Sequence, residues 1–119
     1  MHELGIMTDV LDTALRVAEE HGGKKVTKIT LKVGLMSGVI PTYVQSFFDV
    51  ISKDTIAKDA EIAIEPDPAV FTCRKCGGKT VYNELGPEYV CEHCGSQALR
   101  LISGYGFQII SVVLFSIAF

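Results

Sequence analysis

The chain has 119 residues, 48% hydrophobic and 21% charged, with a formal net charge of −3. That length suits one compact domain with at most a small appended module, and the hydrophobic share builds one modest core. The mild acidity supplies no basic patch or stripe of the kind that nucleic-acid binding needs.

The chain opens "MHELGIMTDVLDTALRV", which lacks the basic n-region and unbroken apolar run of a secretory signal. The expected location is therefore the cytoplasm. From Leu4 onward, apolar residues fall at Leu4, Met7, Leu11, Ala14, Leu15 and Ala18. This is helical spacing with one buried face. "HGG" at His21–Gly23 ends the helix, because glycine takes the left-handed C-terminal position without strain. His21 reads as a cap residue, since a helix C-terminus favours a cation.

"KITLKVGL" alternates, with Ile29, Leu31, Val33 and Leu35 on one side and Thr30 and Lys32 on the other. The pattern predicts a strand with one solvated face. Pro41 suits the first turn of a second helix, whose apolar face is Val44, Phe47, Phe48 and Ile51. "AEIAIE" predicts a second strand with Ala60, Ile62 and Ile64 on one face, ended by Pro66 and Pro68. The tail "FQIISVVLFSIAF" is apolar at ten of thirteen positions, too short for an ordinary membrane helix of roughly 20 residues. Its β-branched and aromatic content predicts a buried strand, and no stable membrane span is expected. The expected fold class is α+β: two helices packed on a small three-stranded sheet, with a cysteine module inserted before the last strand.

That module carries the strongest chemical signal. "CRKCGG" and "CEHCGS" are two C-x-x-C pairs separated by fourteen residues. In a reducing compartment such thiols favour metal or redox chemistry over structural disulfides. Zn²⁺ in structural sites takes four soft ligands in a tetrahedron, and Cys73, Cys76, Cys91 and Cys94 supply them. Gly77 and Gly95 follow the second cysteine of each pair, where the chain turns tightly. Redox pairs belong at the start of a helix in a βαβ unit, and neither pair is predicted there. His93 lies inside the second pair but is surplus to a complete tetrahedron. The charges between Ala69 and Arg100 nearly balance, and four thiolates add negative charge, so the module suits structure or protein docking better than phosphate.

The first two residues form a second constellation. The terminal amine, the His2 amide nitrogen and the His2 Nδ1 close adjacent five- and six-membered chelate rings around one metal. Planar nitrogen ligation is what Ni(II) and Cu(II) favour. The amine must first lose a proton, so affinity falls with pH. Glu3 is available as a further donor. Taken alone, Met-His is a common start and carries little weight.

Together, "MHE", "VGLMSGVIPTYVQSFFDVISKDTIAKDAEIAIE" and two C-x-x-C pairs in this order resemble the HypA/HybF family, hydrogenase maturation proteins that deliver nickel. The resemblance covers Met1 to about Gly104. It implies nickel as transient cargo at Met1, His2 and Glu3, and structural zinc at Cys73, Cys76, Cys91 and Cys94. It implies a nickel-binding α/β domain over 1–68 and 104–119 and an inserted zinc ribbon over 69–103. The implied partners are a hydrogenase-maturation nickel GTPase and the hydrogenase large subunit. The implied role is a metallochaperone without catalytic turnover, and the glycines of "KITLKVGLMSG" lack phosphate-loop spacing. The rival readings are a zinc-ribbon adaptor binding protein or nucleic acid, and a redox protein. Relatives commonly carry acidic residues at the places of Leu35 and Ile40, and end in a more charged strand than "ISVVLFSIAF". An exposed strand this apolar is a pairing hazard, so it is expected to be covered in the sheet or paired with a second copy.

Overall fold

Helix α1 spans Glu3–Glu20, and its buried residues are Ile6, Met7, Val10, Leu11, Ala14 and Ala18. The structure, a computed structural model, describes residues 3–116, with side chains from Gly5 onward. The predicted face holds at Met7, Leu11, Ala14 and Ala18, but Ile6 and Val10 widen it and Leu15 is only half-buried. The helix ends as expected: Gly22 has φ +67°, and the Gly23 N–H reaches the Ala18 carbonyl at 2.8 Å. This 6→1 bond belongs to the Schellman closure that glycine permits.

Strand β1 (Lys25–Gly34) buries Val26, Ile29, Leu31 and Val33 and exposes Lys25, Thr27 and Lys28. Leu35 lies past the strand and is half-buried. Helix α2 (Pro41–Ile51) has its proline in the first turn and buries Val44 and Phe48, with Phe47 and Ile51 at its half-exposed margins. Strand β2 covers Glu61–Asp67. Gln45 fastens α2 to the start of β2, accepting from the Ile62 N–H at 2.8 Å and donating to the Ala60 carbonyl at 3.1 Å. Pro66 does not end β2 as the sequence suggested. The strand occupies a sheet edge, where a missing N–H leaves no ladder bond unmade.

The first sheet is ordered β2-β1-β6, with β6 spanning Phe107–Phe115. The Leu35 N–H bonds to the Asp67 carbonyl at the C-terminal ends of β1 and β2, so these strands run parallel with α2 in the connection. Lys24 N–H to Phe115 O at 2.8 Å and Thr27 Oγ1 to Val113 O at 3.2 Å make β6 antiparallel to β1. The tail is thus a strand, but the expectation that it is buried is wrong. No residue of β6 is buried, and Ile110, Val113 and Phe115 are about half exposed. Apolar composition did not secure burial, because β6 has only one neighbouring strand among the described residues.

The second sheet is ordered β4-β3-β5, from β3 (Ala69–Cys73), β4 (Lys79–Tyr82) and β5 (Leu99–Ser103). Both pairings are antiparallel. The chain divides into two units: Met1–Leu31 with Val39–Glu65 and Gln108–Phe119, and Lys32–Gly38 with Pro66–Phe107. Within the second unit, the Gly34, Leu35 and Met36 N–H groups bond to the carbonyls of Gly106, Asp67 and Gly104. A Cβ on Gly34 would collide with the backbone of Gly104 and lie 2.8 Å from the Gly106 oxygen. Only glycine lets these segments approach so closely.

Candidate metal centre

Strand β3 ends on Cys73 and runs directly into the first cysteine turn. The Gly77 N–H closes that turn on the Cys73 carbonyl at 2.9 Å, and the Cys73 N–H bonds to the Gly78 carbonyl. The second turn repeats the pattern: Gly95 N–H to Cys91 O at 2.8 Å and Cys91 N–H to Ser96 O at 2.8 Å. Gly77 and Gly95 have φ of +78° and +75°, the left-handed conformation by which the chain makes the tight turn expected at both.

The turns aim four sulfurs at one point. Cys73 Sγ lies 3.7 Å from Cys94 Sγ, and Cys76 Sγ lies 3.6 Å from Cys91 Sγ. All four Sγ atoms fall within 4.8 Å of one another. Zn–S bonds of about 2.3 Å in a tetrahedron set sulfur–sulfur edges of about 3.8 Å. A disulfide requires about 2.05 Å. The cluster therefore suits structural zinc. Cys73 and Cys91 are buried, whereas Cys76 and Cys94 are exposed.

Backbone dipoles prepare two of the thiols for the anionic form that metal binding requires. The Cys76 N–H pulls the Cys73 thiol down to about 6, with Lys75 N–H helping against the effect of burial. Burial opposes ionisation of Cys91, but the N–H groups of Cys94 and His93 outweigh it and lower that thiol too. Cys76 behaves oppositely. The Gly78 N–H lowers it, yet the neighbouring sulfurs, Cys91 foremost, and burial raise it to about 11. Negative sulfurs gathered this closely repel, which favours the protonated form at Cys76.

His93 is not brought to the cluster as a ligand. Its Nε2 lies 3.0 Å from the Lys79 carbonyl and can only donate there, which fixes the proton on Nε2. Its ring fills the space beside Gly78, where any Cβ would collide with it. Two hydroxyls on β4 brace the second turn, and neither was legible as functional in the sequence. Tyr82 Oη donates to the Val90 carbonyl at 2.8 Å and accepts the Val90 N–H at 3.0 Å. Buried Thr80 Oγ1 accepts the Glu92 N–H at 3.0 Å. Both neighbours of Cys91 are thus tied to β4. The Tyr82 ring meets Phe71 and Tyr89 edge-on, with centroids 6.0 and 4.9 Å away.

The expected nickel ligands Met1 and His2 lie outside the described residues. Glu3 opens α1, and its side chain is likewise outside them. His21 is an exposed residue at the end of α1. No helix among the described residues is long and apolar enough to cross a membrane.

Two helices on a three-stranded sheet, joined in one chain to a four-cysteine ribbon, define an α+β metal-binding protein with a structural zinc site. Comparison with known proteins narrows the class. The family described as hydrogenase/urease nickel incorporation, metallochaperone, hypA, matches residues 1–114. The chain is 34% identical over 112 residues to the hydrogenase maturation factor HypA of Synechococcus elongatus strain PCC 7942, covering 94% of this chain and 97% of the relative. It is 36% identical over 112 residues to that of Dehalococcoides mccartyi strain 195, covering 94% and 92%. The fold matches the solution structure of the Ni metallochaperone HypA from Helicobacter pylori with a TM-score of 0.65 at 20% identity, over 98% of this chain and 99% of that one. A second solution structure of a HypA protein gives a TM-score of 0.69 at 21% identity, over 97% of each. The chain belongs to the HypA family of nickel-incorporation metallochaperones, proteins of hydrogenase maturation. Nickel is that family's cargo.

Proposed function

We propose that this chain binds Ni(II) through Met1 and His2, with Glu3 contributing, and delivers it to the large subunit of a [NiFe]-hydrogenase. The supporting observation is the family match, which begins at residue 1 and runs past the cysteine ribbon. The terminal amine, the His2 amide nitrogen and His2 Nδ1 form a planar nitrogen set suited to Ni(II). A terminal chelate can be stripped one arm at a time by an acceptor, which suits cargo. Zinc held by Cys73, Cys76, Cys91 and Cys94 keeps the ribbon folded and takes no part in transfer. The unit containing α1 and α2 is the nickel-binding part, and the ribbon unit is the zinc part. The chain performs no catalytic turnover. A hydrogenase-maturation nickel GTPase supplies nucleotide hydrolysis, and the exchange takes place in the cytoplasm.

The test is nickel titration of protein with its native, untagged terminus beside His2→Ala and a one-residue N-terminal extension. The native protein is expected to bind with a planar d–d absorption that both variants lose. Equal binding by all three would sink the terminal-chelate mechanism.

A further inference from the structure

Strand β3 alternates along its length: Ala69, Phe71 and Cys73 are buried, while Val70 and Thr72 are half-buried. The register carries that alternation across the ribbon sheet, because residues directly opposite on antiparallel strands share a face. Thr72 stands opposite Lys79 on β4 and opposite Arg100 on β5. Val70 stands opposite Val81, which is 51% exposed. The open face therefore carries two rows. One is Lys79, Thr72 and Arg100; the other, two residues back along β3, holds Val70 and Val81.

The first row has no acid to balance it. No residue of β3, β4 or β5 is acidic. Lys79 and Arg100 are both exposed, and neither is ion-paired among the described residues. Glu92, which Thr80 ties to β4, turns instead to His93 at 3.5 Å. Cys73, the next residue along β3, is buried on the opposite face.

We propose that this face of the ribbon binds an acidic segment of a partner protein, seating a carboxylate over Thr72 and an apolar side chain on Val70 and Val81. The site concerns the ribbon alone and stands whether or not the terminus carries nickel. Adjacent strands lie about 4.8 Å apart, so the long side chains of Lys79 and Arg100 flank Thr72 closely enough to reach one group above it. Arg100 offers the planar fork that fits a carboxylate, Lys79 adds a second charged donor, and the Thr72 hydroxyl adds a third. The apolar row lies about 7 Å from the charged one, two residues along a strand. An extended segment places its side chains i and i+2 on one face at that same interval. Nucleic acid fits the face less well. Single strands are held by stacking on aromatic rings, and Phe71, Tyr82 and Tyr89 are packed on one another on the side of buried Phe71.

Fluorescence anisotropy on the full-length zinc-loaded protein tests the site, with a dye-labelled peptide of Glu-Ser-Val-Ser repeated three times. In extended form this probe presents glutamate and valine alternately on one face. It is expected to saturate below millimolar concentration. Changing its glutamates to glutamine should weaken binding by at least about tenfold, the worth of a charge-assisted hydrogen bond. Lys79→Gln with Arg100→Gln in the protein should do the same, whereas Lys79→Arg with Arg100→Lys keeps both charges and should retain most of the binding. Val81→Asn should weaken it by about threefold, through lost apolar contact alone. Zinc content and circular dichroism verify that these exposed replacements leave the ribbon folded. A probe that does not saturate below millimolar concentration overturns the proposal. Equal binding by the wild type and the doubly neutral variant, or of the glutamate and glutamine peptides, does so too. Unchanged binding by Val81→Asn overturns the apolar contact. A dye-labelled oligothymidylate that binds more tightly than the glutamate peptide assigns the face to nucleic acid, and also overturns the proposal.

Discussion

Replacing Tyr82 with phenylalanine isolates one hydroxyl. The ring stays, and with it the edge-on contacts to Phe71 and Tyr89. Two hydrogen bonds to Val90, the residue before Cys91, are lost. Val90 is half-buried, so water re-satisfies its N–H and carbonyl only in part. A net hydrogen bond contributes about 1 kcal/mol and an orphaned buried group costs about 1–3 kcal/mol. Partial water access puts the loss at about 1–2 kcal/mol, or roughly 5–30-fold on an equilibrium. Metal binding and folding share one free energy in small ribbons, so the loss should appear as weaker zinc retention. Competition against a chromophoric chelator at neutral pH measures it, beside the thermal melting point. Tyr89→Phe is the control. It loses one exposed bond, from the Gly86 N–H at 3.1 Å, and is expected to release zinc nearly as the wild type does. If Tyr82→Phe holds zinc as tightly as the wild type, β4 does not brace the second turn, and the reasoning is refuted.

Three further outcomes are expected. The Ser52 hydroxyl is fully buried without a hydrogen-bond partner, while its N–H and carbonyl are bonded to Phe48 and Thr55. Ser52→Ala removes only the orphan and should stabilise by about 1 kcal/mol, read from denaturant unfolding of the zinc-loaded protein. Ile40 occupies the N-cap of α2 in extended conformation, φ −99° and ψ 106°, with no side-chain cap bond. Ile40→Asp supplies the missing acceptor, worth about 1 kcal/mol and a melting point higher by about 4 °C. An unchanged or lowered melting point would count against the cap argument. Zinc retention should fall with pH: below about 6 even the depressed Cys73 thiol takes up its proton. A thiol lowered from its ordinary 9.0 contributes stability above that value and loses it as pH falls through 6. Zinc binding at neutral pH should release a proton from Cys76, held up to about 11 by its neighbouring sulfurs. Calorimetry in buffers of different ionisation enthalpy detects that proton.

The legible parts of this sequence are those whose cause is local. Helix spacing gave Met7, Leu11, Ala14 and Ala18, and the glycine after His21 gave the helix end, because both depend on neighbours within one or two turns. The C-x-x-C-G repeats foretold two tight turns and four convergent sulfurs, since the turn geometry is written in five residues. What was lost depends on topology. Ile6 and Val10 are buried on a helix that packs against α2, a tertiary contact that spacing along α1 does not reveal. The β6 residues read as interior by composition, yet strand order leaves them at an edge. Tyr82 and Thr80 gave no signal, since their partners lie eight and twelve residues away across a loop.

The same contrast explains the glycines of "VGLMSG". Gly34 serves backbone approach, not phosphate binding: its N–H and those of the next two residues are all taken by carbonyls of the ribbon unit. The cysteine centre offers a cargo equally little room. Four thiolates fill the tetrahedron, two of them buried, and structural zinc sites are closed for that reason. A metal that must arrive and leave needs ligands of another kind and geometry. Soft sulfurs in a tetrahedron hold zinc, whereas planar nitrogens favour Ni(II). On the nickel reading proposed above, ligand chemistry alone keeps the two metals apart in one short chain.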